Sequence, residues 1–223
     1  MDYEKHILIV AGGTGSRINN SLPKQFIEIN NKPVIIHTIE CFIAFDKDIN
    51  IYISVHPDFM QHMQKLAADF FPGRKIHITT GGETRFHSVQ NGIKMILSDS
   101  GVVGIHDAAR PLVSTETIQR CFKGAAEKDN AVPCISINES LRQINADKNA
   151  AVNRNEYKII QTPQCFRVSL IKKALEQTYS PEFTDDASVL EKAGHKINLV
   201  EGNTENIKIT YPVDLIIAQH YLK

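Results

Sequence analysis

The residue types best suited to chemistry lie in one glycine-rich segment, residues 11–25 (AGGTGSRINNSLPKQ). It follows an apolar run at residues 6–10 that is typical of a short buried strand. Glycine lets a ligand approach the backbone closely, and N–H groups that converge after a strand bind phosphate oxygens. Arg17 and Lys24 add positive charge, and the segment has no carboxylate. The segment therefore predicts a polyphosphate site; a plain glycine-rich turn with two solvated cations is the alternative.

The spacing of this segment separates it from two other phosphate-binding loops. A Walker A motif is excluded because no Gly-Lys-Ser/Thr follows the glycines. The dinucleotide-binding fingerprint is excluded because Ile18 stands where its third glycine should be. The pattern of Gly12, Gly13, Gly15 and Arg17, followed by Pro-Lys, instead resembles the signature loop of sugar-phosphate nucleotidyltransferases.

A second glycine pair, at residues 81–82, lies between a predicted strand at 74–80 and a predicted helix at 88–97. Ligands bind at the carboxyl ends of strands in an open α/β sheet, so this pair should lie at the same edge as the first segment. Arg85 and Ser88 would extend from the first helical turn, where the helix dipole also favours anions. A simple turn and helix cap is the alternative.

A third predicted strand, at residues 102–106, is followed by Asp107, Ala108, Ala109 and Arg110. A carboxylate at the end of a strand, beside small residues, is well placed to bind Mg²⁺. Arg110 supplies another anion contact. Capping of the next helix would be the simpler role for Asp107, but its position beside two phosphate-binding segments favours a functional one.

The predicted elements alternate between strands and helices, which indicates an α/β fold with parallel strands and right-handed crossovers. Further strands are predicted at 50–55, 131–137, 196–201 and 206–210, and helices from Pro33, from Pro57 to 70, at 114–126, at 168–177 and from Pro212 to 221. Lys208, between two isoleucines, points either to solvent or into a site. The aspartates at 185–186 are interpreted as a helix start, although paired aspartates also bind metals.

Residues 138–160 differ in character from the rest of the chain. Alternating segments at 139–144 and 156–160 flank a polar linker at 145–155. This pattern predicts a β-hairpin arm that leaves the main sheet, and a hairpin this short is expected to pack against a partner subunit. A long surface loop is the alternative.

Composition narrows the class of protein. The chain has 223 residues, which suits a single domain over 1–223 that includes the arm. Equal numbers of acidic and basic residues, 25 of each, argue against a general nucleic-acid binder. The four cysteines and nine histidines show no metal-binding or disulfide spacing. No signal peptide or membrane-spanning run is expected, and the default location is cytoplasmic.

Seven separated motifs occur in one order across nearly the whole chain: AGGTGSR…PKQ, GG-x-x-R-x-x-S, HDAARP, R-N-x5-QTPQ, TDDAS, VEG and NIK-x-T-x-P-x-D. Together they closely resemble the 2-C-methyl-D-erythritol 4-phosphate cytidylyltransferases, which use CTP in non-mevalonate isoprenoid synthesis. The resemblance implies a Rossmann-like nucleotidyltransferase fold, with a mixed, mostly parallel sheet flanked by helices, and a homodimer whose protruding β-arms interlock.

The resemblance also implies roles for individual residues. The phosphates of CTP would contact Gly12, Gly13, Gly15, Arg17 and Lys24, and its base and ribose would contact Ala11, Gly82, Arg85, Ser88 and Ala108. Asp107 would hold Mg²⁺ and approach the acceptor, a polyol phosphate. Further acceptor contacts would come from Lys208 and Arg110, with Ser140, Arg154 and Thr162 reaching in from an arm, which in the family belongs to the partner subunit. Arg17, Lys24, Asp107 and Lys208 would be catalytic.

Three positions depart from the family pattern, and two kinds of rival remain. Ser140 stands where threonine is usual, Arg142 where lysine is usual, and Val10 where a small residue is usual. Ribitol 5-phosphate cytidylyltransferases share the first loop, but HDAARP and QTPQ favour the methylerythritol enzyme over them. HDAARP and the arm argue against UTP- or TTP-using relatives. A catalytically silent nucleotide-binding protein would not need all four catalytic residues.

Lys24→Ala should lower kcat by roughly 10²–10³-fold, because a preorganised positive charge stabilises the charge that grows in the transition state. The measurement is pyrophosphate release from CTP with methylerythritol 4-phosphate as the acceptor. A kcat within about threefold of the wild-type value, less than 1 kcal/mol in barrier height, would remove Lys24 from the chemical step.

Overall fold

The computed structural model describes residues 3–13, 22–146 and 148–222. Its strands are β1 (Lys5–Ala11), β2 (Glu28–Ile29), β3 (Lys32–Pro33), β4 (Asn50–Val55), β5 (Ile76–Thr80), β6 (Val102–Asp107), β7 (Asn130–Ser136), β8 (Arg142–Asn145), β9 (Lys148–Ala151), β10 (Lys158–Ile160), β11 (Gln164–Arg167) and β12 (Leu199–Glu201). Its helices are α1 (Val34–Phe45), α2 (Met60–Phe70), α3 (Arg85–Ile93), α4 (Thr115–Lys128), α5 (Val168–Ala174), α6 (Asp186–Lys192) and α7 (Pro212–Tyr221).

A mixed, mostly parallel central sheet organises the fold, as predicted. The order across it is β10-β7-β11-β6-β1-β4-β5, and β12 pairs with β7. β5, β4, β1 and β6 run parallel to one another, whereas β11 is antiparallel to both β6 and β7. The parallel half follows from helical connections between successive strands, which return the chain to the same sheet edge each time.

The register of the parallel strands brings the predicted site segments together. Val10 of β1 pairs with Asp107 of β6, and Ala11 pairs with Val55 of β4. Val55 in turn pairs with Thr80, the last residue of β5. The glycine-rich segment, the second glycine pair and the HDAARP segment therefore begin at one edge of the sheet. This arrangement confirms the prediction that they share an edge.

Two layers of helices cover the sheet, and alternate residues of β1 face each layer. Ile7 and Ile9 pack in the core cluster that includes residues of α1, α2 and α4, while Leu8 packs with residues of α3, α5 and α6. All three side chains are fully buried, and each contributes roughly 1.5–3 kcal/mol by leaving water. α7 packs separately, through Ala218 in a cluster with Ile29, Val34, Ala109 and Ile209. The helices described here include none with both the length and the apolarity to cross a membrane.

Two predicted elements near the site were wrong. α3 begins at Arg85 rather than at 88, because the Thr84 side chain caps it by accepting from the His87 N–H at 3.4 Å. The segment 206–210 is not a strand. Within this segment, the Ile209 N–H donates to the carbonyl of Ala109, which lies just after β6, at 2.9 Å.

The hairpin is present but with different strands from those predicted. β8 pairs with β9, which lies inside the predicted linker, so that Asn145 faces Lys148 across the turn. The predicted second strand, 156–160, instead contributes β10, which pairs with β7 of the central sheet. The apolar Ile159 and Ile160 extend the main sheet, whereas the hairpin is built mainly from polar and small residues. All eight residues of β8 and β9 are exposed.

Candidate active site

A cavity of about 730 Å³ lies at the carboxyl edge of the parallel strands. Its walls come from the segments that follow β1, β4, β5 and β6, and from Lys208 and Thr210 near the C-terminus. Most of the sequence-predicted site residues line it: Ala11, Gly12, Gly13, Lys24, Gly82, Arg85, Ser88, Asp107, Ala108 and Lys208. The predicted residues Gly15 and Arg17 lie outside the described residues.

Gln25 fastens the start of the glycine-rich segment. Its side-chain amide donates to the Ala11 carbonyl at 2.9 Å and to the Gly13 carbonyl at 3.0 Å, and the residue is only 3% exposed. A Cβ at Gly12 would lie 2.9 Å from the Ser88 hydroxyl, so glycine is needed for this close approach. The PKQ motif contains Gln25, but the sequence alone assigns this residue no role in the site.

Ser88 ties the second glycine pair to the start of α3. Its hydroxyl accepts from the Gly82 N–H at 3.1 Å and donates to the Thr84 carbonyl at 3.0 Å. The residue is 2% exposed. Ser88 thus orders this loop, and its predicted contact with a nucleotide stays a prediction.

Asp107 is a buried carboxylate surrounded by cations from three parts of the chain. Its Oδ2 lies 2.9 Å from the Lys208 ammonium and 3.3 Å from the Arg110 Nε, and its Oδ1 lies 3.4 Å from the Arg85 Nε. Burial alone would raise the pKa of Asp107, but Arg85, Lys208 and Arg110 hold the pKa of that carboxyl well below its usual range. Asp107 is therefore ionised at neutral pH.

A chain of hydrogen bonds beneath Asp107 fixes the backbone of the HDAARP segment. The Thr162 hydroxyl accepts from the Asp107 N–H at 3.1 Å and lies 2.9 Å from His106 Nδ1. His106 Nε2 lies 3.0 Å from the Arg110 carbonyl, which can only accept. Nε2 of His106 must therefore carry the proton, and Nδ1 accepts from Thr162. Burial lowers the pKa of His106 to about 4, in agreement with a neutral ring.

Asn206 joins the C-terminal segment to the same cluster. Its carbonyl accepts from the Arg110 guanidinium at 2.8 Å, and its side-chain amide donates to the Thr162 carbonyl at 2.8 Å. These bonds hold the segment that carries Lys208 against the end of β6. Of the two orientations that the sequence left open for Lys208, the structure has the one that points into the site.

Arg85 makes a second ion pair, with Asp186 at the start of α6. The two terminal guanidinium nitrogens lie 2.8 and 2.7 Å from the two carboxylate oxygens of Asp186. The aspartate pair predicts a helix start, and Asp185 does cap α6. The contact between Asp186 and Arg85 is not predictable from the sequence, in which the two residues lie 101 positions apart.

Two predicted acceptor-binding residues do not reach the cavity of their own chain. Ser140 and Arg154 are both exposed and do not line it. The Arg154 guanidinium instead donates to the Asn138 carbonyl.

Arg110 and Thr162 do not line the cavity either. Thr162 is buried within its own chain, where its hydroxyl accepts from the Asp107 N–H, so its predicted place on an arm was wrong. Arg110 contacts Asp107 and the Asn206 carbonyl, and its contact with an acceptor stays a prediction.

Fold and cavity together define an α/β protein with a polar cavity at the carboxyl edge of its sheet. The comparisons with known proteins are more specific. A family model described as IspD, 2-C-methyl-D-erythritol 4-phosphate cytidylyltransferase, matches residues 5–223. The chain belongs to this family, whose members transfer the cytidylyl group of CTP to 2-C-methyl-D-erythritol 4-phosphate, and it is a cytidylyltransferase.

Individual relatives agree with the family model over nearly their whole length. The chain is 46% identical to the 2-C-methyl-D-erythritol 4-phosphate cytidylyltransferase of Bacteroides fragilis and 43% identical to that of Phocaeicola vulgatus, covering 96% of this chain and 98% of theirs in both cases. A crystal structure of 4-diphosphocytidyl-2C-methyl-D-erythritol synthase is similar, with a TM-score of 0.83 and 26% identity over the full length of both chains. The Francisella tularensis enzyme has a TM-score of 0.81 and 29% identity over 97% of this chain and 99% of its own.

The neutral, buried His106 should make the fold sensitive to mild acid. The pKa of His106 is about 4 in the folded protein and about 6.5 in an unfolded chain, so only the unfolded chain binds this proton as the pH falls between those values. The free energy of unfolding should therefore fall by up to about 1.4 kcal/mol per pH unit from this residue in that window. Urea unfolding at a series of pH values measures the slope.

His106→Asn is the matched control, because asparagine keeps a hydrogen-bond acceptor near Thr162 but does not titrate. It should be less stable than the wild type at pH 8 and should show a shallower slope between about pH 6 and pH 4.5. Identical slopes for the two proteins would contradict the assignment of a neutral, buried ring.

Proposed function

We propose that cytidylyl transfer takes place in the cavity beside Asp107, by in-line attack of the acceptor phosphate on the α-phosphorus of CTP. Pyrophosphate leaves as the new phosphoanhydride bond forms. Both reactants are anions, so the site must cancel their repulsion as well as orient them. The observation that carries the proposal is the convergence of Arg85, Arg110 and Lys208 on one carboxylate, in a cavity that Gly12, Gly13 and Lys24 also line.

CTP is proposed to lie along the glycine-rich wall. Gly12 and Gly13 leave backbone groups open to the phosphates, with Lys24 on the same wall. Gly15 and Arg17 are proposed to complete the phosphate contacts. The base and ribose would contact a part of the cavity lined mainly by small residues: Ala11, Gly82, Ser88 and Ala108, together with Arg85. A cavity of about 730 Å³ is large enough for a nucleotide.

The acceptor phosphate is proposed to bind between Lys208 and Arg110. Both cations contact the Oδ2 atom of Asp107, Lys208 through Nζ at 2.9 Å and Arg110 through Nε at 3.3 Å. Asp107 would orient them and approach the acceptor itself. Thr162 supports Asp107 through the backbone N–H, and a direct contact between Thr162 and the acceptor stays a prediction.

Mg²⁺ is proposed to enter with CTP, with Asp107 as its protein ligand. No cluster of three or more histidine, cysteine or acidic side chains that could form a complete metal cage occurs among the described residues. One ionised carboxylate still fits Mg²⁺, because this ion keeps several waters and binds mainly through substrate phosphates. When bound, Mg²⁺ would neutralise charge on the phosphate oxygens, while Lys24, Arg17 and Lys208 act on the same charges from the protein.

Pyrophosphate release tests the reaction, its acceptor and the metal in one assay. With CTP and Mg²⁺, we expect turnover with methylerythritol 4-phosphate and none above background with ribitol 5-phosphate. EDTA should abolish release and added Mg²⁺ should restore it, which also controls for inactivation by the chelator. Turnover with ribitol 5-phosphate alone would overturn the acceptor, and full activity in EDTA would overturn the metal.

The hairpin is proposed to pack on a second copy of the chain and to complete the partner's site. An isolated two-stranded hairpin is at best marginally stable in water, and every residue of β8 and β9 is exposed. Exposed apolar side chains lie on the same segment, with Ile144 exposed by 68% and Tyr157 by 44%. Ser140 and Arg154 do not line their own chain's cavity, so a partner's cavity is the place where they could bind an acceptor.

Mixed dimers distinguish a contribution in trans from one in cis. Arg154→Ala and Asp107→Asn should each be inactive alone. If the arm acts in trans, a mixed dimer has one site with neither substitution, and random pairing should restore about a quarter of wild-type activity. Size-exclusion chromatography of each variant confirms that dimers form. Mixed dimers without activity, or monomers with full activity, would contradict the proposal.

We also propose that the enzyme acts in the cytoplasm, where its nucleotide substrate is available. All four cysteines are free thiols in the structure, and two of them, Cys121 and Cys165, are buried in the core. Free thiols are typical of reducing compartments.

A further inference from the structure

Neighbouring aspartates at the start of α6 make entirely different contacts. Asp185 caps the helix: its Oδ1 accepts from the Ser188 N–H at 2.9 Å, and the Ser188 hydroxyl lies within 3.2 Å of the Asp185 N–H in return. Asp186 takes no part in this cap. Its side chain is only 3% exposed, and both carboxylate oxygens accept from Arg85, which lines the cavity.

The start of α6 is itself held against the central sheet. Gln164 of β11 is 1% exposed, and its side-chain amide bonds to both sides of the helix start. The amide nitrogen donates to Asp185 at 2.8 Å, and the amide oxygen accepts from the Ala187 N–H at 2.8 Å. β11 pairs with β6, which ends in Asp107. Asp186 therefore has a fixed position relative to the carboxylate at the centre of the site.

The pairing with Asp186 determines which part of Arg85 faces Asp107. A bidentate pair uses both terminal nitrogens of a guanidinium and sets the plane of the group. The nitrogen that remains for Asp107 is Nε, at 3.4 Å from Oδ1. Without Asp186, the two terminal nitrogens of the Arg85 guanidinium would be free to donate two hydrogen bonds to Asp107, or to bind the phosphates of a ligand.

We propose that Asp186 is a positioning residue for the transfer reaction: it holds Arg85 so that Arg85 makes a single contact with Asp107. Asp186 also limits the positive charge of the site, since the carboxylates of Asp107 and Asp186 offset two of the three positive charges of Arg85, Arg110 and Lys208. The inference rests on the proposed role of Asp107 and adds a residue that contacts neither substrate.

Asp186→Asn tests the proposal, because asparagine keeps the shape of the side chain but loses the bidentate charged pair. We expect kcat to fall by roughly 10- to 100-fold, the cost of a small misplacement of catalytic groups. The KM for CTP should not rise, because the site gains net positive charge and CTP is a polyanion. A residue that only stabilised the fold would also lower the apparent kcat at unchanged KM, through the amount of folded enzyme. The kcat is therefore expressed per folded enzyme, with the folded fraction measured by circular dichroism, and a purely structural role then predicts the wild-type value.

Asp185→Asn is the matched control, since it removes the same charge from the same helix start but leaves both carboxylate oxygens of Asp186 to Arg85. Asparagine keeps one of the two Asp185 acceptors and loses the bond from Gln164, while the bond between Gln164 and the Ala187 N–H still holds the helix start. Asparagine is also a good helix cap, so kcat should stay within about twofold of wild type. Thermal unfolding of both variants shows whether either loses structure. Equal kcat values for Asp186→Asn and wild type would overturn the role of Asp186. Normal kcat in Asp107→Asn would instead overturn the proposed role of Asp107.

A double variant keeps the test informative if Asp186→Asn, which leaves Arg85 with its longer 3.4 Å contact to Asp107, fails to fold. Arg85→Gln combined with Asp186→Asn removes both charges together. If Asp186 acts only through Arg85, the double variant should have the same kcat as Arg85→Gln alone, within about twofold. A further loss of tenfold or more in the double variant would show an independent role for Asp186 and overturn the proposal.

Discussion

The ion cluster around Asp107 is the interaction on which the site depends. A carboxylate this deeply buried is costly unless cations and hydrogen-bond donors replace the water it has lost. The replacements come from α3, from the turn after β6 and from the C-terminal segment, which are far apart in sequence. Each of these segments must reach the end of β6 if the cost of burying the Asp107 carboxylate is to be offset. The ion pairs with Asp107 therefore also hold together the segments that line the cavity.

The supports of this cluster form a second layer around Asp107 and its cations. His106 and Thr162 hold the backbone on either side of Asp107, Asn206 holds the C-terminal segment, and Asp186 holds Arg85. Every one of these side chains is buried, so their hydrogen bonds are protected from competition by water. Such networks are rigid when all partners are present, which suits a site that must orient two phosphates before reaction.

The same arrangement suits the proposed binding of two anionic substrates in one cavity. Lys24 and Lys208 both line the cavity, and Arg110 contacts the same carboxylate oxygen of Asp107 as Lys208 does. The glycines and alanines that also line the cavity leave room for a ligand close to these cations. Electrostatic stabilisation of this kind needs no covalent intermediate, in agreement with direct transfer of the cytidylyl group.

The sequence by itself determined the α/β class, the shared sheet edge and most cavity-lining residues. Apolar runs mark the strands, glycine patterns mark the places where backbone meets phosphate, and the order of motifs indicated the family. It did not determine that α3 begins at Arg85, that β9 lies inside the predicted linker, or that residues 206–210 are irregular. Nor did it identify Asp186, Gln25 or His106 as part of the site. Those outcomes depend on which polar groups are buried together. Arg85 and its partner Asp186, for example, are 101 residues apart in the sequence. Periodicity along a chain reports local conformation, whereas the pairing of buried charges is decided only when the sheet brings distant segments together.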